Sequence, residues 1–124
     1  MPSDIRIIRA HEFIEVTPEG KVDLDRAKKL LIDVALTGGP RADYDVILDV
    51  RNVRFDLEES DLWDLAAELH RLRQAFSRRT AVLVAPERSD YAGYFVVCAQ
   101  EQGLDVRAFT HFGEVMEWFD QEDG

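Results

Sequence analysis

Apolar residues change their spacing several times along the chain, and each change marks an element. "IRIIRA" and "FIEVTP" are short β-prone runs parted by the polar "HE", which predicts two early strands at one edge of a sheet. "TPEGK" supplies a turn before Asp23. Leu24, Ala27, Leu30, Leu31 and Val34 then recur at helical spacing until "TGGP" stops the pattern. After "RADYD", the run "VILDV" is apolar except at Asp49 and rich in β-branched residues, as a strand covered on both faces should be. A long helix is expected from near Glu58 to near Ser77, with Leu62, Leu65, Ala66, Leu69, Leu72 and Phe76 on one side.

The second half repeats the alternation of strand and helix. "TAVLVAP" reads as another fully covered strand, and "ERSD" offers Ser89 or Asp90 as the cap of a helix that carries Tyr91, Tyr94, Phe95 and Cys98 and stops at Gly103. "LDVRAF" forms a further strand. Thr110 is placed to cap a last helix striped by Phe112, Val115, Met116 and Phe119, and residues 120–124 form a short acidic tail. The resulting order, β-β-α-β-α-β-α-β-α, predicts an α/β fold in which a mixed, mostly parallel sheet of about five strands is covered by helices. Residues 1–124 show no linker or internal repeat and are expected to form a single domain. Functional groups in such sheets collect at the carboxyl ends of the strands, here "DVRNVRFD", "APERSD" and "AFTHFG".

Charge narrows the partners. A formal net charge of −10 repels phosphate backbones and anionic headgroups, so nucleic acid and stable membrane association are not expected, whereas a protein partner is. Neither a membrane-spanning run nor a signal-peptide pattern is apparent, which gives the expectation of a cytoplasmic protein. The lone Cys98 allows no internal disulfide and reads as a buried structural thiol. On the long helix, Asp56, Glu58, Glu59, Asp61 and Asp64 crowd the start and Arg71, Arg73, Arg78 and Arg79 the end, a distribution that complements the helix dipole.

Catalytic patterns are missing from this sequence. Gly38 and Gly39 follow a helix, whereas phosphate-binding glycines lie between a strand and a helix. A phosphate-accepting receiver would need a paired acidic site at an earlier strand end and a lysine after the last strand; Lys21, Lys28 and Lys29 all lie far upstream. His11, His70 and His111 are isolated, and no nucleophile elbow, zinc-helix pattern or paired cysteine occurs. No catalytic residue, metal ligand or cofactor is therefore assigned. An enzyme would require His111, Asp49 and Ser89 to converge in space. The stripe of Tyr91, Tyr94 and Phe95 reads either as core packing or as the lining of a pocket for an apolar ligand, since a tyrosine hydroxyl on an apolar face needs water or a partner.

"VILDVRNVRF" resembles the central strand and following turn of STAS domains, the anti-sigma-factor antagonist fold, at Ile47, Leu48, Asp49, Val53 and Phe55. The second half is similar to the SpoIIAA-like branch often labelled STAS/SEC14, at Val106, Arg107, Phe109, Trp118 and Phe119. The resemblance covers roughly residues 44 to 119 and implies a SpoIIAA-like domain acting as a non-enzymatic regulatory or protein-interaction module. In those antagonists the turn continues Asp-Ser-Ser-Gly, and a serine there is phosphorylated by a kinase that is also the partner. This chain has "FDLEESDL" instead: Glu58 and Glu59 fall where the serines would be, and Ser60 comes one or two positions late. A partner, or a second copy, is expected to dock on Phe55, Asp56, Glu58, Glu59 and Ser60, with homodimerisation through Trp63 or the edge strands slightly favoured. The alternative implied by the SEC14-like label is a carrier or sensor of a small apolar or amphipathic ligand held by Tyr91, Tyr94 and Phe95.

Overall fold

In the computed structural model, residues 4–8, 13–38, 44–76 and 78–121 are described. Strands β1 (Asp4–Ile8), β2 (Phe13–Thr17), β4 (Asp45–Asp49), β6 (Thr80–Leu83) and β7 (Val106–Phe109) form one sheet in the order β1-β2-β4-β6-β7. The β1–β2 pair is antiparallel, and every other pairing in this sheet is parallel. Helices α1 (Leu24–Gly38), α2 (Glu59–Arg71) and α3 (Ser89–Glu101) each join neighbouring parallel strands, and α4 (Phe112–Asp120) follows β7.

Period-two alternation in the strands sorts the core onto two faces. Ile14, Val16, Val46, Val82, Val84 and Val106 face α1, α2 and α3, which bury Leu30, Leu31, Val34, Leu62, Leu65, Leu69 and Phe95 against them. Phe13, Ile47, Ala81 and Leu83 point the other way, onto Val115 and Trp118 of α4. This explains why "VILDV" and "TAVLVAP" carry no polar alternation: each of these strands has helix on both sides.

Local chemistry fixes the ends of the elements. The Asp23 carboxylate accepts the Arg26 N–H at 2.9 Å and starts α1. Gly103, with φ +83°, takes the left-handed turn that ends α3, and the Leu104 N–H returns to the Ala99 carbonyl at 3.2 Å.

Four sequence expectations are corrected. Helix α2 stops at Arg71 rather than near Ser77, which itself lies outside the described residues. Beyond it the Arg73, Ala75 and Phe76 amides donate three residues back, to His70, Leu72 and Arg73, so a tighter turn carries Phe76 into the core. Ser89 is the first residue of α3 and not its cap; a short 3-10 turn, Pro86–Arg88, precedes the helix, and the Ser89 hydroxyl donates back to the Pro86 carbonyl at 3.0 Å. His111, not Thr110, holds the cap position of α4, and Asp120, assigned to the tail, is the last residue of that helix. Finally, two strands were read as turns: β3 (Gly20–Val22) and β5 (Val53–Phe55) pair in parallel as a separate two-stranded sheet. Gly39 and His11 lie outside the described residues.

Candidate docking segment and apolar cavity

The carboxyl end of β4 is anchored before the chain reaches the acidic segment. Both carboxylate oxygens of Asp49 accept from Arg51, at 2.9 Å from Nε and 2.8 Å from Nη2, and this bidentate pair holds the turn after the strand. Arg51 is correspondingly harder to deprotonate, chiefly through that hydrogen bond. The turn delivers Val53–Phe55 to β3, and the Asp56 N–H extends the ladder to the Val22 carbonyl at 2.9 Å. Lys21 and Asp56 form an exposed ion pair at 3.4 Å, worth at most about 1 kcal/mol.

From Phe55 onward the residues divide by side. Phe55 is half-buried, its ring 5.4 Å from that of Tyr91 and 5.6 Å from the Arg88 guanidinium. Leu57 also turns inward, and its carbonyl accepts the Tyr91 hydroxyl at 2.7 Å. Asp56, Glu58, Glu59 and Ser60 are exposed. Glu58 sits at the cap position of α2, and its N–H donates to the Asp61 carboxylate at 2.9 Å. This concentration of carboxylates at a helix N-terminus is favourable in itself, each contributing about 0.3 to 1 kcal/mol at low salt.

Behind Phe55 and Leu57 lies a cavity of about 90 Å³, between the sheet and α1, α2 and α3. Tyr91 and Phe95 line it; Tyr94 stands outside, 41% exposed on the outer face of α3. Desolvation pushes the Tyr91 phenol up to about 12, with the nearby Asp61 charge adding to the effect. Leu57 was missed as a lining residue, although the apolar-polar-apolar order Phe55-Asp56-Leu57 carries the signal of an extended segment with one buried face.

The other sequence candidates lie outside this cavity. Ser89 and Thr110 border a separate depression of about 340 Å³ with Phe109 and Glu114, and neither Asp49 nor His111 lines it. The His70 Nδ1 lies 3.1 Å from the Gln102 carbonyl oxygen, an acceptor that calls for a proton on that nitrogen. Cys98 is buried in the helical core, and Trp63 is 45% exposed on α2. Among the described residues no group of three or more His, Cys, Asp or Glu is placed to hold a metal ion, and no helix is long and apolar enough to cross a membrane.

No protein-family model matches the sequence, and no curated protein is similar to it. Solved structures are. An uncharacterised protein of the DUF3478 family from Shewanella loihica, described as having a SpoIIAA-like fold, matches over 95% of this chain and 92% of its own, with a TM-score of 0.63 at 16% identity. The anti-sigma factor antagonist SpoIIAA, in its unphosphorylated form, matches over 97% of this chain and 100% of its own, with a TM-score of 0.59 at 14% identity. The fold is SpoIIAA-like. Identity this low speaks for the fold alone. It nevertheless agrees with the resemblance at "VILDVRNVRF", whose matched positions now stand in β4 and β5. Within the SpoIIAA-like fold of this chain, the strand that ends in Leu48-Asp49 is the middle strand of the sheet, and the acidic segment follows it after one turn and the short strand β5.

Proposed function

We propose that this chain is a non-enzymatic protein-interaction module that docks a partner through Phe55, Asp56, Glu58, Glu59 and Ser60, without a phosphorylation switch. The observation that carries this reading is the geometry of the segment. It is exposed and acidic on the outside, yet tied down from within by the β3–β5 ladder and the hydrogen bond from Tyr91 to Leu57. A rigid surface loses little conformational entropy on binding. Fixed carboxylates stand where the antagonist proteins would present serines, so the charge of this surface does not depend on modification. A partner with a cationic face fits both the segment and the net charge of −10. Support for a role without catalysis comes from the bidentate pairing of Asp49 with Arg51 and the bonding of Ser89 to Pro86. The test is affinity capture with the wild-type chain, Phe55→Ala and Glu59→Lys, each checked for fold by circular dichroism. Loss of the same partners from both variants is the expected result; identical partner sets would remove the surface from consideration. Sedimentation of the same three proteins reports whether the partner is a second copy, for which the exposed Trp63 provides an apolar contact.

The cavity favours a second reading, in which the chain carries or senses a small apolar ligand. Mass spectrometry of the purified protein under native conditions reads this directly: a bound neutral species is expected, and a spectrum of bare protein after incubation with short-chain hydrocarbons argues against it.

A further inference from the structure

Leu48 belongs to β4, the middle strand of the sheet, beneath three helices. Val46 and Ile47 beside it are 1% and 0% exposed, yet Leu48 is only half-buried. The cavity accounts for the difference, because Leu48 forms part of its floor while Ile47 faces α4. The lining is apolar throughout except for Tyr91, and the Tyr91 hydroxyl is already committed to the Leu57 carbonyl. Water needs two or more polar partners to settle in a cavity, so this one favours hydrocarbon over water. Its volume of about 90 Å³ is smaller than the roughly 150 Å³ of an apolar cavity that takes up benzene or xenon. The size fits xenon or an alkyl group of a few carbons.

The wall of this space is also the inner side of the docking segment. In an extended run, alternate side chains point to opposite sides. Phe55 and Leu57 therefore face the cavity, while Asp56 between them is exposed. Anything that fills the space touches the segment from behind.

We propose that the cavity is a regulatory site for a small neutral hydrocarbon group, and that its occupancy repositions residues 56 to 60 through Phe55 and Leu57. The regulatory part rests on reading that segment as the docking surface; ligand uptake does not. The aromatic contact between Phe55 and Tyr91 and the single hydrogen bond to Leu57 are the contacts an occupant would adjust.

The test titrates the full-length protein with xenon gas under pressure, followed by NMR of its methyl and amide groups. Saturable shifts are expected in the methyls of Leu48, Leu62 and Leu65, together with the amides of residues 56 to 60. The methyls of Ile47 and Val115, on the opposite face, should stay in place. Cavity methyls that respond while those amides stay still would overturn the regulatory coupling, and no saturable response in the cavity methyls would overturn the site itself. Ala27→Leu, which adds volume to the lining from α1, should weaken xenon uptake at least tenfold; undiminished uptake in this variant would place the xenon elsewhere. None of these readings depends on a partner, so failure of the docking surface in affinity capture stays distinguishable from failure of the site.

Discussion

On one face of the sheet the nine-residue helix α4 seals Phe13, Ile47, Ala81 and Leu83 beneath Val115 and Trp118; on the other, three longer helices leave a cavity over Leu48. The difference lies in what fills the space. On the α4 face, Phe109 of β7 and Trp118 and Phe119 of α4 stack in tilted contact, with ring centroids 5.5 and 5.7 Å apart in successive pairs, and Arg107 lies 4.9 Å from the Trp118 ring. Flat rings close a gap between a helix and a twisted sheet with few residues. Opposite α1 to α3, aromatic rings such as Phe76, Phe95 and Tyr91 are interspersed with branched aliphatic side chains and with small alanines such as Ala27 and Ala92, which leave room where the three helices and the β3–β5 segment meet. The number of covering helices is thus a poor guide to how well a face is filled.

Arg79 sharpens the contrast. Its buried guanidinium donates to the Trp118, Phe119 and Gln121 carbonyls at the end of α4, satisfying acceptors that a helix C-terminus leaves open. From the sequence this arginine was assigned to the end of α2. The structure shows instead that Arg78 pairs with Asp45 at 3.4 Å while Arg79 clamps a helix about 40 positions away.

If the α4 face is the filled one, truncation there should cost most. Trp118→Ala is expected to destabilise by about 3 to 5 kcal/mol in urea unfolding. Arg79→Met, which leaves several carbonyls without their donor, should cost about 2 to 3 kcal/mol by the same measurement. A matched pair then separates the two faces: Leu83→Ala should fall well inside the range of about 2 to 5 kcal/mol for leucine truncation, and Leu48→Ala at or below its lower end. Equal costs for the two leucines would contradict the assignment of slack to one side. In the opposite direction, Ala27→Leu should raise stability by about 0.5 to 1 kcal/mol.

A further effect is at alkaline pH. The Tyr91 phenol ionises near 12 in the folded chain against about 10 when unfolded. Over that interval the folded state keeps a proton that the unfolded state has released, so stability falls as pH rises from about 10 to about 12. Tyr91→Phe should remove this component of the alkaline fall, which a pH series of unfolding midpoints would show.

Most of the fold was legible because the signals were local. Leu24 to Val34 announced α1 by spacing, Gly103 announced the end of α3, and the unbroken apolar runs placed β4 and β6 in the interior. What escaped depends on partners distant in the chain. The residues of β3, "GKV", have no strand pattern of their own and become one only by pairing with β5, more than 30 positions later. The acidic segment was legible in its charges, and of the tyrosine stripe read as a pocket lining Tyr91 and Phe95 do border the cavity, but the other walls of that cavity were not legible. A void belongs to no residue; it exists only once Ala27, Leu48 and Tyr91, from three separate elements, have been brought together.

The strand order bears on how fast this chain reaches its native state. Pairing β1 with β2 closes a short loop, whereas each parallel pairing in the main sheet must wait until an intervening helix has been laid across, so chain entropy is lost before the ladder forms. The easily formed hairpin sits at the edge, where it organises little. The slow work falls to β4, which gathers β2 on one side and β6 on the other. Shortening a side chain such as Ile47 should therefore appear mainly as slower refolding, and trimming the late-docking α4 mainly as faster unfolding.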